Sequence, residues 1–104
     1  MSEIKKHIKD GFVAVIFSPG FGSGFHTWGA PIEAVFDPDL VEAILINDTQ
    51  SVEKIIATKY PDFTYIKGTE LDVEWVREGD KFRIDEYDGR EEVVWLNMDD
   101  YITA

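Results

Sequence analysis

The residues best suited to binding chemistry lie in one glycine-rich segment, residues 18–29. Its glycines let another group approach the main chain closely, so that backbone N–H groups can converge on an anion. Its hydroxyl groups can donate further hydrogen bonds, and its aromatic rings can stack on a base. The segment therefore predicts a site for a small nucleotide-like ligand. The expected ligand-binding residues are Ser18, Gly20, Gly22, Ser23, Gly24, Phe25, His26, Thr27 and Trp28.

The segment does not match the common phosphate-binding motifs. A dinucleotide-binding loop has a different glycine spacing and opens directly into a helix. A P-loop needs a lysine, and no Lys or Arg occurs between Gly11 and Glu53. A bound phosphate would therefore depend mainly on backbone N–H groups, hydroxyl groups and His26. The alternative is a surface loop whose aromatic rings pack onto the sheet.

Catalytic and metal-binding groups are sparse in the sequence. The chain has no cysteine, which excludes disulfides, thiolate metal sites and cysteine nucleophiles. Its two histidines, His7 and His26, have no neighbours at metal-ligand spacing. We therefore expect no catalytic residue, no metal and no cofactor, and a small hydrolase ranks below the binding functions.

The composition is that of an acidic globular protein. With 104 residues, of which 44% are hydrophobic, the chain predicts a single domain over residues 1–104. Its net charge of −11 repels nucleic acid and anionic membranes, so we expect neither duplex nucleic acid nor a membrane as a partner. The longest apolar run, Phe12–Phe17, is too short for a membrane span, which favours an intracellular protein. A homo-oligomer stays an open alternative.

Patterns along the chain predict an α+β fold. Residues 1–11 are mostly polar and are expected to be a frayed terminus, with a short edge element as the alternative. The Phe12–Phe17 run predicts a strand covered on both faces. The Asp-Pro-Asp motif at 37–39 is typical of a helix N-terminus, and an apolar stripe follows it. A second helix is expected over about residues 49–60, where Pro61 ends it.

Two turn sequences predict a three-stranded β-meander in the last third of the chain. Asp-Gly at 88–89 would pair Phe82 with Trp95, and Glu-Gly at 78–79 would pair Trp75 with Phe82. Both registers place apolar residues on one face, where these three rings are expected to be buried neighbours. The predicted fold is therefore a small, mostly antiparallel sheet that ends in this meander, with two helices packed on one face.

The other face of the meander carries carboxylates and suggests a second function. The same registers bring four of them together, and like charges directly across strands destabilise a sheet. This pattern is typical of a solvated face, partly neutralised by Arg83 and Arg90. The alternative is an acidic inhibitor of a basic protein, in imitation of nucleic-acid charge. The expected partner-binding residues are Asp72, Glu74, Asp85 and Glu92.

Four short motifs, taken in order, resemble a family of small proteins encoded by tailed phages and prophages. They are the Ser-Pro-Gly-Phe-Gly-Ser-Gly loop from Ser18, Phe-Asp-Pro from Phe36, Val-Glu-Trp-Val from Val73 and Glu-Tyr-Asp-Gly from Glu86. The similarity covers nearly the whole chain after residue 11, although the family often has Gly-Trp at residues 24–25. No activity is assigned to the family, so no residue role is carried over. The resemblance implies a protein of the infected bacterial cytoplasm, with a role in host takeover or counter-defence.

Overall fold

The structure is a computed structural model that describes residues 4–20, 24–96 and 102–104. These residues form two antiparallel three-stranded sheets and three α-helices, which confirms the predicted α+β class. The strands are β1 (Ile8–Lys9), β2 (Phe12–Phe17), β3 (Asp72–Arg77), β4 (Lys81–Tyr87), β5 (Arg90–Leu96) and β6 (Ile102–Thr103). The helices are α1 (Ile32–Phe36), α2 (Pro38–Leu45) and α3 (Thr49–Lys59), and 3-10 turns span His26–Trp28 and Pro61–Phe63.

The first sheet has the strand order β1-β2-β3, and its central strand is buried on both faces, as predicted. Ala14 and Ile16 pack with α2 and α3 in one apolar cluster. Val13 and Val15 pack with α1 and the second sheet in another. A strand with polar alternation could serve only one core, whereas the unbroken apolar run of β2 serves two.

The two predicted helices form where their capping residues begin them. Asp37 caps α2 by accepting hydrogen bonds from the N–H groups of Asp39 and Leu40, at 3.0 and 3.3 Å. Asp48 caps α3 by accepting from the Ser51 N–H at 3.2 Å. Both helices pack on the first sheet. The sequence does not predict the five-residue helix α1, because so short an element carries too little periodicity to be recognised.

The predicted hairpin between β4 and β5 is confirmed in its full register. Phe82 pairs with Trp95, and the pairing continues up to the turn. Asp88 and Gly89 reverse the chain with positive φ angles of 53° and 85°, which is the backbone conformation that a two-residue hairpin turn requires.

The predicted pairing of β3 with β4 is wrong. β3 pairs instead with β2, and the second edge of β4 pairs with β6. The buried strand β2 needs hydrogen-bond partners on both sides, and β3 supplies one of them. The three strands of the expected meander are therefore consecutive in sequence but divided between two sheets. As a result, Trp75 packs against the helix-side cluster, whereas Phe82 belongs to the other one.

The prediction that Trp95 is buried is wrong: 48% of its surface is exposed. It lies on β5, which is an edge strand of the second sheet. The helices α2 and α3 cover the first sheet instead. Its partner Phe82, on the central strand β4, is fully buried. A correct register therefore does not by itself fix burial.

The expected frayed terminus is corrected at residues 8–9, which form β1 at the edge of the first sheet. Asp10 and Gly11 turn the chain into β2 with positive φ angles of 54° and 82°. Among the residues that the structure describes, no helix combines the length and apolar character needed to cross a membrane.

Candidate functional site

A buried carboxylate lies at the centre of the glycine-rich segment. The Glu91 side chain is 1% exposed and extends from β5 into the loop after β2. Its Oε1 accepts a hydrogen bond from the Ser18 N–H at 2.9 Å, and its Oε2 accepts from the Phe25 and Thr27 N–H groups at 2.9 and 2.8 Å. The Thr27 hydroxyl donates a fourth bond at 2.6 Å. The loop thus surrounds an anion with backbone N–H groups, and that anion belongs to the chain itself.

The hairpin register turns Glu91 inward. Glu86 pairs with Glu91, and Ile84 pairs with Val93, so both glutamates share the hairpin face that carries its apolar residues. The Glu91 N–H also donates to the Ser18 carbonyl oxygen at 2.6 Å, which joins β5 to the loop after β2. This role was not predicted, although a glutamate at an inward position of the alternation was a signal for it, because a buried carboxylate needs donors.

The remaining predicted ligand-binding residues have different environments. Phe25 is buried, and its ring packs edge to face with Phe63 at a centroid distance of 5.7 Å. The His26 Nδ1 lies 2.9 Å from the Ala30 carbonyl oxygen, within its own turn. Gly20 is exposed, with open space beside its Cα. The predicted site residues Gly22 and Ser23 lie outside the described residues.

Trp28 of this loop and Tyr65, which follows the 3-10 turn Pro61–Phe63, form an exposed aromatic pair. Each is 44% exposed, and their ring centroids are 6.0 Å apart. The Trp28 Nε1 donates to Glu86 at 3.3 Å, and the Tyr65 hydroxyl donates to the Gly24 carbonyl oxygen at 2.7 Å. A Cβ atom at Gly24 would overlap the Trp28 indole, so glycine is required for this ring position. The sequence predicted Trp28 as a site residue but missed Tyr65.

The electrostatics around the pair are negative. Partial burial and the charge of Glu91 raise the pKa of Tyr65 above its usual value. Among the described residues, the groups that donate to Glu91 are neutral, so they stabilise its charge without neutralising it. An approaching molecule meets two aromatic rings beside the exposed carboxylate of Glu86, and the buried Glu91 lies near Tyr65. This environment favours a cation over a phosphate.

The predicted acidic face is divided between the two sheets. Asp85 pairs with Glu92 on the β4–β5 hairpin, as expected. Asp72 and Glu74 lie instead on β3, where they pair with β2. The Arg83 Nε forms an ion pair with Asp85 at 2.7 Å, which offsets part of the like-charge repulsion on the hairpin. The four carboxylates therefore do not share one continuous strand ladder.

A second polar pocket, which was not predicted, lies at the start of α2 and has a volume of about 530 Å³. Asp37 accepts hydrogen bonds there from the Tyr60 hydroxyl at 2.7 Å and the Lys59 ammonium at 3.2 Å. Burial alone would raise the pKa of Asp37, but bonds from Tyr60, Lys59 and the Leu40 N–H outweigh it and hold the pKa below its usual value. Because these donors already engage the carboxylate, the network joins α2 to the end of α3 and leaves little for a ligand.

Fold and site together define a small α+β protein whose glycine-rich loop is closed by its own carboxylate. Within the described ranges, no cluster of three or more His, Asp or Glu side chains could hold a metal ion. No protein-family model matches the chain, and no curated protein or solved structure matches it significantly. The resemblance to phage-encoded proteins therefore stays a prediction, and the function has to be inferred from the geometry.

Proposed function

We propose that the protein is a non-enzymatic binding protein that captures a basic protein partner on its glycine-rich loop. The contact surface is formed by Trp28, Tyr65 and Glu86 and is called the aromatic–acidic surface below. The observation that carries the proposal is that backbone N–H groups of the loop bind the Glu91 carboxylate. Three of the loop N–H groups that could bind a phosphate, those of Ser18, Phe25 and Thr27, already hold a carboxylate at 2.8–2.9 Å. The same loop holds the two rings in place.

Cation recognition follows from the groups that this surface exposes. Lysine and arginine side chains bind over Trp and Tyr rings with about 0.5–2 kcal/mol. The Glu86 carboxylate, 3.3 Å from the Trp28 Nε1, lies where it can pair with the charge of the same side chain. The net charge of −11 attracts a basic partner over long range and accelerates its association.

The kind of partner follows from the resemblance to proteins encoded by tailed phages. A small acidic protein encoded by a tailed phage acts inside the infected bacterium, so its basic partner is a host protein. Inhibition of such a protein would serve host takeover or counter-defence. Asp85 and Glu92 lie on the opposite face of the same hairpin, where Arg83 pairs with Asp85, so they are not part of the aromatic–acidic surface.

Capture of bacterial proteins on the immobilised protein tests the proposal. We expect basic proteins to bind at low salt and to be released at high salt, because salt screens the attraction between opposite surface charges.

The dissociation constant of a captured protein is then measured with two matched variants. Trp28→Ala should weaken binding by about tenfold or more, as loss of an aromatic hot spot does. Trp95→Ala removes a similarly exposed ring at the far end of the hairpin and should leave binding unchanged. Equal affinities for the two variants would contradict the proposal.

A nucleotide-like ligand is the second candidate, because the exposed ring of Trp28 lies beside Gly24 and could stack on a base. A phosphate would then have to find donors other than those that hold Glu91, or displace that carboxylate. A thermal-shift screen with nucleotides and cyclic nucleotides separates the two candidates, since a ligand of the folded state raises its melting temperature. A raised midpoint that Trp28→Ala abolishes would favour the nucleotide.

A further inference from the structure

We infer that the protein has a second docking point, a cleft between α2 and α3 that receives an arginine or lysine side chain from a basic partner. The inference rests on the proposed function for the class of partner. The cleft has a volume of about 220 Å³. Pockets for drug-sized molecules have volumes of about 300 Å³ or more. This cleft is smaller and has the size that one long side chain can fill.

The base of the cleft is apolar. It is lined by Ala43 and Ile46 at the end of α2 and by Ile55 on α3. Ile46 is 67% exposed, more than any other isoleucine or leucine whose side chain the structure describes. A single exposed aliphatic residue needs no partner. Here, however, Ile46 forms one side of a concave surface with Ala43 and Ile55, which is the shape that a partner's side chain can fill.

The rim of the cleft is acidic. Asp39, Glu42 and Asp48 line it, and no lysine or arginine does. The Ser51 hydroxyl and N–H both donate to Asp48, which fixes this carboxylate at the rim and lowers its pKa. Asp39 already pairs with Lys59 at 3.0 Å, on the side towards Asp37.

An apolar base with an acidic rim matches the two parts of a basic side chain. Arginine and lysine carry a long aliphatic stem that packs on apolar surface while the charged head stays at its edge. The stem would lie on Ile46 and Ile55, and the head would reach Glu42. An anionic segment would be repelled by the rim, and a purely apolar one would offer no cation to the carboxylates of Glu42 and Asp48. The occupant is therefore a basic segment of a protein.

A nuclear magnetic resonance titration with a short peptide tests the cleft. The probe is acetyl-Leu-Arg-Leu-amide, and its control is the same peptide with neutral citrulline in place of arginine. At low salt we expect the arginine peptide to shift the backbone amide signals of residues 42–48 and 51–55. The citrulline peptide should bind at least fivefold more weakly. Glu42→Gln and Ile46→Ser should each weaken binding about threefold to tenfold. Glu78→Gln, an exposed acid in the turn after β3, should not weaken it.

The outcomes separate this inference from the proposed function. Saturable shifts confined to the surroundings of Trp28 and Tyr65 would overturn the cleft and leave the aromatic–acidic surface as the docking site. Equal binding of both peptides at the cleft would overturn the inference, because it would show an apolar contact without charge recognition. The absence of saturable binding anywhere at low salt would count against both. Melting temperatures of Glu42→Gln and Ile46→Ser close to that of the wild type confirm that the folded protein is being compared.

Discussion

One buried carboxylate, Glu91, is bound by the glycine-rich loop, and another, Asp37, lies at the start of α2. The two are stabilised by different kinds of donor. Glu91 is 1% exposed and Asp37 is 5% exposed. Both accept backbone N–H groups and one side-chain hydroxyl group. Asp37 also pairs with the Lys59 ammonium at 3.2 Å, whereas Glu91 accepts from three backbone N–H groups and a hydroxyl group, which are neutral.

The presence of a cationic partner at Asp37, and of neutral donors at Glu91, indicates what each region can do. At the start of α2, the charge of Asp37 is balanced within the fold, so the network serves to join helices. In the loop, the charge of Glu91 is stabilised but not cancelled, and it lies beneath an exposed aromatic pair. The loop is therefore the region from which a negative potential can act on a partner.

Of the changes to the two buried carboxylates, Glu91→Gln has the larger expected effect. The amide nitrogen would replace one carboxylate oxygen, so at least one buried N–H donor would face another donor, and three charge-assisted bonds would weaken. We expect the free energy of unfolding to fall by about 2–4 kcal/mol, measured by urea denaturation. Glu92→Gln, at the next position on the exposed face, should change stability by less than about 0.5 kcal/mol. Similar values for the two variants would show that the loop does not depend on the buried carboxylate.

Asp37→Asn should have a smaller effect, because asparagine still caps α2. We expect a loss of about 1–2 kcal/mol at neutral pH from the weakened bonds to Tyr60 and Lys59. The pH dependence gives a sharper test. The folded pKa of Asp37 lies below its usual 3.8, so its ionised form stabilises the fold above that pH and the contribution is lost as the pH falls through the folded pKa. Wild type should therefore lose more stability than Asp37→Asn on acidification below about pH 4. Parallel acid-unfolding curves would contradict this role.

The smallest expected effect is that of Trp95→Ala. Because about half of this ring is already in water, its removal should cost about 1 kcal/mol rather than the full value for a buried aromatic side chain. Phe82→Ala, at the paired and fully buried position, should cost about 3–5 kcal/mol. Urea denaturation of the two variants measures the contrast directly. A loss at Trp95 equal to that at Phe82 would mean that the ring is covered in solution.

Local signals in the sequence predict local structure well. Asp37 accepts from residues two and three positions ahead, which is why the helix start could be recognised. The Asp-Gly turn at 88–89 likewise fixes the β4–β5 register. The partner of β3 could not be read in this way, because the choice between β2 and β4 depends on which strand must be covered on both sides. The same limit applies to Glu91, whose donors lie in a distant segment.

The sequence distance between Glu91 and its donors also bears on the order of folding. Its bonds to Thr27 and Ser18 span 64 and 73 positions, whereas the β4–β5 hairpin and the α2–α3 pair are local. Closing so long a loop costs entropy before any contact rewards it, so we expect these bonds to form after the main barrier. Glu91→Gln should then accelerate unfolding and leave the refolding rate nearly unchanged in stopped-flow experiments. Slower refolding would instead place the closure of the loop early, as part of the folding nucleus.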